Sequence, residues 1–174
     1  MTRIHHLIVD GYNVIHCDPR YKSLAADDLD AARTRLVEDV AAFAIGDSRA
    51  VIIFDGGGNP LSDGTPHHVA GVTVIFSPSG ESADSIVEAI ARRSRERGER
   101  AMVVTSDAAM QRTVFAGEVS RMSSAEFSRM LIEAGNDWEE HAPAGSVRGR
   151  LEDRIDGGVR ETLSRWARGD TPSS

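Results

Sequence analysis

The fold class of this 174-residue chain is decided by the stretch IHHLIVDG, residues 4–11. Apart from its two histidines, the run at residues 4–9 is wholly apolar, and it stops abruptly at Asp10 and Gly11. A short apolar run that ends in turn residues predicts a strand buried on both faces and followed by a turn. Such strands are typical of parallel sheets that are covered by helices.

The same pattern recurs along the chain, with helical spacing between the strands. Further buried strands are predicted at residues 50–54, 72–76 and 101–105. Amphipathic spacing predicts one helix that follows Asp28 and another that begins at Ser82 and stops at Gly98. Alternating strands and helices predict a doubly wound α/β domain, in which a mostly parallel sheet carries helices on both faces.

The part of the chain after residue 105 is predicted to contain shorter elements. We expect a short helix over residues 108–115 and an edge strand over 118–122. A helix with capping-box spacing from Ser123 to Glu126 is expected to end at Gly135.

The last forty residues form a separate stretch in the sequence pattern. Residues 136–149 are rich in turn and small residues and are predicted to be a linker or long loop. Beyond it, a basic amphipathic helix from Asp156 to Gly169 is predicted, either docked on the domain or serving as a basic arm for RNA or a ribosomal surface. The predicted division is therefore an α/β domain at residues 1–135, and a linker with a C-terminal helix at 136–174.

Composition excludes several classes of protein. The formal net charge is −7, which argues against a protein that coats duplex nucleic acid. Cys17 is the single cysteine, so no disulfide can form within the chain. There is no apolar run long enough to span a bilayer and no apolar signal core. We therefore expect a cytoplasmic protein without a membrane partner.

Acidic side chains stand where the predicted strands end. Asp10, Asp55 and Asp107 each follow a strand directly, and Glu81 and Asp84 follow the strand at 72–76. Any one of them could be a turn residue or a helix cap. In an open α/β sheet, however, the carboxyl ends of the strands converge on one crevice, where several carboxylates need cations to neutralise them. Carboxylate oxygens are ligands suited to Mg²⁺ or Mn²⁺.

Other kinds of site are absent from the sequence. There is no CxxC or HExxH pattern for zinc, and no GxSxG motif for a serine nucleophile. The glycine-rich residues 56–60 lack the Lys-Ser/Thr of a phosphate loop, and His67 and His68 are expected in a solvent-exposed loop. Cys17 has no identifiable base, and its neighbour His16 is not evidence of a dyad. Metal-dependent phosphodiester hydrolysis needs no protein nucleophile, so it suits this set of residues.

Four stretches of the chain together resemble a known family. They are VDGYNVI at residues 9–15, IFD at 53–55, GESAD at 80–84 and VVTSD at 103–107. In order and spacing they are similar to the YacP-like NYN domain ribonucleases, which belong to the PIN-like nucleases. The resemblance extends from about residue 4 to residue 132 and implies a PIN-like fold. Residues 56–59 depart from it, because they are richer in glycine than expected after the second strand.

The resemblance implies a metal-dependent endoribonuclease, and an acidic, compact domain with only 5% aromatic residues favours single-stranded RNA as the substrate. The resemblance assigns metal binding to three core acids and the orientation of the site to one amide: Asp10, Asp84, Asp107 and Asn13. It matches a supporting group less closely, in which Asp55 is a further metal ligand and Glu81 a further catalytic residue. Contacts to RNA are expected from Ser106, Arg112 and Arg160. The implied cofactor is Mg²⁺ or Mn²⁺, and a link to translating mRNA or to ribosomes is left open.

Three other functions were weighed against the nuclease. A PIN-like module that binds RNA or a ribosomal partner without cutting would have no reason to keep several like charges together. A phosphatase acting on small substrates would be expected to carry DxDx[TV], whereas Asp10 is followed by Gly11 and Tyr12. A structural or dimerising domain could use Trp138 and Trp166 at an interface, although packing is their simpler role.

Overall fold

In the computed structural model of the chain, residues 6–44, 49–57, 62–106, 118–141 and 158–169 are described. These ranges hold six strands: β1 (His6–Asp10), β2 (Arg49–Phe54), β3 (His67–Val69), β4 (Val72–Phe76), β5 (Ala101–Val104) and β6 (Val119–Met122). They also hold six helices: α1 (Gly11–Cys17), α2 (Pro19–Asp27), α3 (Leu29–Phe43), α4 (Ala83–Glu96), α5 (Ser124–His141) and α6 (Gly158–Ala167).

The strands form one sheet in the order β3-β4-β2-β1-β5-β6. All neighbouring pairs are parallel except β3 and β4, which are antiparallel. The predicted α/β class with a mostly parallel sheet is therefore confirmed, and β6 is the edge strand that the sequence predicted at residues 118–122.

Helices cover both faces of the sheet because the strands are apolar on both sides. On one face, Ile8 and Val103 pack with Val87 of α4. On the other, Leu7 belongs to the cluster that contains side chains of the remaining helices, such as Phe127 of α5. All five of these side chains are at most 2% exposed. The two hydrophobic layers hold the sheet between them, and the carboxyl ends of its five parallel strands lie along one edge.

The centre of the sheet holds the topological switch point. Strand β1 pairs with β2 on one side and with β5 on the other. The chain therefore adds strands first on the β2 side of β1 and later on its β5 side. In doubly wound sheets the crevice at such a point, outside the carboxyl ends of the strands, is the usual place for a ligand. Asp10 is the last residue of β1 and lies at this crevice.

The sequence prediction of a turn after Asp10 is wrong, because helix α1 starts at the next residue. The Asp10 side chain accepts a hydrogen bond from the backbone N–H of Asn13 and thereby caps the helix. A Cβ atom on Gly11 would lie 2.3 Å from Cε1 of Phe54. Glycine is therefore required here by the close approach of α1 to β2 and not by a turn.

Two further expectations are overturned. Helix α5 continues through Gly135 to His141, so neither the predicted helix end nor the start of the predicted linker at 136 holds. His67 and His68 lie in β3 instead of a loop. His68 is exposed as expected, whereas the His67 ring is partly buried and stacks on Trp166 of α6 with 3.9 Å between ring centroids.

Helix α6 packs on α3. Leu163 is fully buried, Ser164 donates to the Asp30 carboxylate, and Arg160 pairs with Asp28. The predicted short helix at 108–115 and the predicted cap Asp156 lie outside the described residues, and the division at residue 135 stays a prediction. None of the helices in the described ranges has the length and apolar character needed to cross a bilayer.

Candidate active site

An open cleft of about 260 Å³ lies at the carboxyl ends of β1 and β2, beside the first turn of α4. Its walls come from three separate segments of the chain. They are formed by Asp10, Tyr12, Asn13, His16, Asp55, Ser82, Ala83 and Asp84. The sheet topology thus brings three of the predicted aspartates to one cleft.

Asp10 is held in a fixed orientation by Asn13. Its Oδ1 accepts from the Asn13 backbone N–H at 3.3 Å, and its Oδ2 accepts from Nδ2 of the same residue at 3.2 Å. The Asn13 amide also donates to Oγ1 of Thr105 at 3.5 Å and so bridges the ends of β1 and β5. Asp10 is only 6% exposed, and a buried carboxylate is stabilised by such donors.

Asp55 connects the end of β2 to the start of α4. Its Oδ1 accepts from the backbone N–H of Gly57 at 2.8 Å, which forms a local turn. Its Oδ2 accepts from the backbone N–H of Ala83 at 3.4 Å. Asp55 therefore has the turn role that the sequence allowed, and it also fixes the first turn of α4 in the cleft.

Asp84 lies in the first turn of α4, where Ser82 is the N-cap. The Ser82 hydroxyl accepts from the backbone N–H of Ser85 at 3.2 Å. The helix dipole favours a negative charge in this turn. Glu81 precedes the helix, is exposed, and does not belong to the cleft wall, so the shared helix face expected for Glu81 and Asp84 does not form.

The remaining predicted residues lie elsewhere. The Ser106 hydroxyl accepts from the backbone N–H of Ser124 at 3.0 Å and joins the end of β5 to α5. Arg160 pairs with Asp28 at the start of α3, away from the cleft wall. Asp107 and Arg112 lie outside the described residues.

The donor chemistry of the cleft fits Mg²⁺ or Mn²⁺ in part. Asp10, Asp55 and Asp84 offer carboxylate oxygens to one space, which is the kind of ligand these ions prefer. In the described part of the chain, however, no group of three acidic, His or Cys side chains is close enough to hold a metal ion. Two of the three predicted core ligands, Asp10 and Asp84, are therefore in the cleft, and the third, Asp107, lies outside the described residues.

The sequence did not single out Tyr12 and His16 as part of the site. The Tyr12 hydroxyl accepts from Nε of Arg33 at 2.9 Å and also from its Nη2. Burial raises the pKa of Tyr12, and the neighbouring Arg33 opposes this shift. Tyr12 and His16 are four residues apart in sequence. This spacing places two side chains on one face only in a helix, and the sequence predicted a turn at this point instead of a helix.

The comparison with known proteins decides the family. The model of the YacP-like NYN domain matches residues 7–168. This chain belongs to the YacP-like NYN domain family. The predicted resemblance is thereby confirmed, and the family is generally nuclease-like and related to RNA.

Individual relatives are similar to this chain over nearly its whole length. A YacP protein of Bacillus subtilis (strain 168) is 29% identical over 177 residues, which span 94% of this chain and 97% of that protein. The crystal structure of Rae1 (YacP) from Bacillus subtilis has a TM-score of 0.66 at 28% identity and covers 97% of each chain. A tryptophan-to-leucine mutant of Rae1 gives a TM-score of 0.67 at 25% identity, with 92% of this chain and 98% of the other covered. The PIN-like fold is thereby confirmed as well.

Proposed function

We propose that this NYN protein is a divalent-metal-dependent endoribonuclease that hydrolyses phosphodiester bonds in single-stranded RNA. One observation carries the proposal: Asp10, Asp55 and Asp84, from three separate segments, line one cleft at the switch point of the sheet. Like charges brought together in this way are expected to need a cation. Membership of a nuclease-like family supports the same reading.

Each side chain has a distinct part in this proposal. Asp10, Asp84 and Asp107 would hold Mg²⁺ or Mn²⁺, with Asp55 as a further ligand. When bound, such an ion activates a water molecule for attack on phosphorus and stabilises the leaving oxygen. Asn13 keeps the Asp10 carboxylate in one orientation through its two hydrogen bonds. Removing a residue that orients a metal ligand in this way typically lowers metal affinity or activity 10- to 100-fold.

The cleft is open and small, with a volume of about 260 Å³, which favours a flexible single strand over a duplex. A protein of net charge −7 does not attract a duplex by its overall field, so the ion itself would supply local positive charge for the phosphate. We propose mRNA in the cytoplasm as the substrate, with the ribosome as a candidate partner. The single cysteine and the family support this extension.

The alternative is a PIN-like module that binds RNA or a ribosomal partner without cutting it. The observation in its favour is that the described residues alone do not form a complete metal-binding group. On this alternative the protein would retain RNA in EDTA and show no turnover.

A gel assay with end-labelled single-stranded RNA separates the two functions. Wild-type protein is incubated with Mn²⁺ or with EDTA, beside the variants Asp10→Asn and Asp27→Asn. Asp27 is an exposed residue at the end of α2 and serves as the matched control. The nuclease proposal expects internal cleavage that needs Mn²⁺, is lost in Asp10→Asn and is kept in Asp27→Asn. RNA binding without cleavage in Mn²⁺ would favour the binding module.

A further inference from the structure

An aromatic pair forms part of the cleft wall beside the aspartates. His16 is exposed, and its ring is stacked on that of Tyr12 with 6.2 Å between centroids and 22° between planes. The two residues are one helical turn apart on α1, so their side chains share a face of the helix. Both belong to the cleft that contains Asp10 and Asp84.

The Tyr12 ring of this pair is held in place by neighbouring side chains. Tyr12 packs against Phe54 with 5.1 Å between ring centroids. Its hydroxyl is hydrogen-bonded by Arg33, which also pairs with Asp30 and lies 5.6 Å from the centroid of the Phe76 ring. Arg33 is itself only 9% exposed. The Tyr12 ring therefore gives the exposed imidazole a fixed support.

An exposed flat ring on a fixed support suits one kind of ligand in a nuclease cleft. Every nucleobase has a π-face, so a base can stack on an aromatic side chain whatever its sequence. We propose that His16, supported by Tyr12, is a substrate-contacting residue that stacks a nucleobase of single-stranded RNA next to the bond to be cut. The identity of the ligand rests on the proposed function, whereas the stacking surface rests on the geometry of α1.

Stacking can be separated from a role of the imidazole nitrogens by two substitutions. His16→Ala removes the ring, whereas His16→Phe keeps a flat ring without nitrogen atoms. Cys17→Ala, at the neighbouring exposed position, is the matched control. Because stacking requires a base, the comparison also uses two probes: a short oligouridine and an abasic ribose-phosphate oligomer of the same length.

Binding is measured by fluorescence anisotropy in EDTA on the Asp84→Asn background, so that the RNA is not cut during the titration. We expect His16→Ala to weaken oligouridine binding about 5- to 150-fold, the range given by loss of one aromatic stack. His16→Phe and Cys17→Ala should stay within about threefold of the background, and the abasic oligomer should bind all four proteins alike.

Three results would overturn the stacking proposal: unchanged oligouridine binding in His16→Ala, an equal loss in His16→Phe, or no measurable binding of either oligomer. Cleavage by the wild-type protein in Mn²⁺ is scored separately. A His16-dependent base preference without any cleavage would support stacking while the nuclease proposal fails. Cleavage with unchanged binding in His16→Ala would leave the nuclease proposal standing and reject stacking.

Discussion

Two groups of aspartates have different kinds of partners. One group, Asp18 and Asp39, lies in the helical layer, by which we mean helices α2 and α3 with their caps; the other group, Asp10 and Asp55, lies in the cleft. In the helical layer, Asp18 pairs with Arg20 at 2.7 Å, and Asp39 pairs with Arg35 at 3.2 Å. In the cleft, Asp55 accepts from two backbone amides and Asp10 accepts from the amides of Asn13. An arginine offsets the charge of the carboxylate that it contacts, whereas the amides of Asn13, Gly57 and Ala83 orient the carboxylates to which they donate.

Helix capping does not distinguish the two groups. Asp10 caps α1, and Asp18 caps α2 in the same way, by accepting from a backbone N–H in the first turn. The difference lies in the place in the fold, because only Asp10 lines the cleft. An Asp-to-Asn substitution in the cleft, which keeps an oxygen atom for a helix cap, should therefore change activity more than stability, and substitutions in the helical layer should do the reverse.

The largest effect is expected from Asp84→Asn in the cleft. Loss of a metal ligand should lower RNA cleavage in Mn²⁺ at least about 100-fold. The lost interaction of Asp84 with the dipole of α4 should lower the free energy of unfolding by about 0.3–1 kcal/mol, a small change beside the loss of cleavage. Initial cleavage rates and urea denaturation measure the two quantities.

Glu96→Gln is the matched control, since Glu96 is an exposed acid at the far end of the same helix. It should leave cleavage unchanged. Equal cleavage by Asp84→Asn and Glu96→Gln would remove Asp84 from the metal site.

The converse result is expected from Asp18→Ala in the helical layer. Asp18 is 1% exposed, caps α2, and is bonded by both Arg20 and Ser128. Its loss should lower the free energy of unfolding by about 2–4 kcal/mol at pH 7, because a helix cap and the hydrogen bonds of a buried carboxylate to Ser128 and to the exposed Arg20 are lost together. The folded fraction should still cleave RNA at the wild-type rate, so a fall in activity beyond the unfolded fraction would contradict the comparison.

The contribution of Asp18 to the free energy of unfolding should also depend on pH. Burial raises the pKa of Asp18, but the hydrogen bonds from Arg20 and Ser128 outweigh burial and hold it below its usual value. A lowered pKa contributes stability above the unfolded-state value of about 3.9, and this stability is lost as pH falls through the folded-state pKa. The difference in the free energy of unfolding between the wild type and Asp18→Ala, measured by urea denaturation, should therefore become smaller below about pH 4 and stay constant above about pH 5.

A smaller loss of activity is expected from Asn13→Ala. The variant keeps all the predicted metal-binding acids but loses the side-chain amide that orients Asp10 and bridges to Thr105. We expect cleavage to fall about 10- to 100-fold, with partial recovery at high Mn²⁺. The control is Cys17→Ala on the same helix. Full activity in Asn13→Ala at low Mn²⁺ would mean that Asp10 needs no orienting partner.

The smallest effect is expected from Tyr21→Phe. The fully buried Tyr21 hydroxyl donates to Oδ2 of Asp39 at 2.6 Å, and Arg35 remains as a partner of Asp39. Thermal or urea unfolding should show a loss of about 0.5–1.5 kcal/mol, with cleavage unchanged. Burial and Asp39 raise the pKa of Tyr21, so the tyrosine's contribution should decline above about pH 10. An equal alkaline loss in the Phe variant would contradict this assignment.

Local signals in the sequence were sufficient for the sheet and for α4. Apolar runs predicted four central strands because a strand buried on both faces has to be apolar throughout. Ser82 and Gly98 predicted the ends of α4 because capping depends only on neighbouring residues. The strand-end rule then correctly predicted that Asp10, Asp55 and Asp84 share one cleft.

Features that depend on distant residues could not be predicted in this way. Gly11 has the local signature of a turn, but its contact with Phe54 determines that a helix starts there. Gly135 lies within α5, where the cost of a helical glycine, about 1 kcal/mol, is offset by the rest of an 18-residue helix. The bonds of Tyr12 with Arg33 and the stacking of His67 on Trp166 join residues far apart in sequence.

The central claim is that the cleft aspartates bind a divalent metal ion, and Mn²⁺ binding tests it most directly. Isothermal titration calorimetry would compare the wild type, the double variant with Asp10→Asn and Asp84→Asn, and the control Asp27→Asn, with folding checked by circular dichroism. We predict that Mn²⁺ binds the wild type and Asp27→Asn alike, that Mg²⁺ competes for the site, and that the double variant binds at least about 100-fold more weakly. Equal Mn²⁺ affinity in the folded double variant and the wild type would contradict the account.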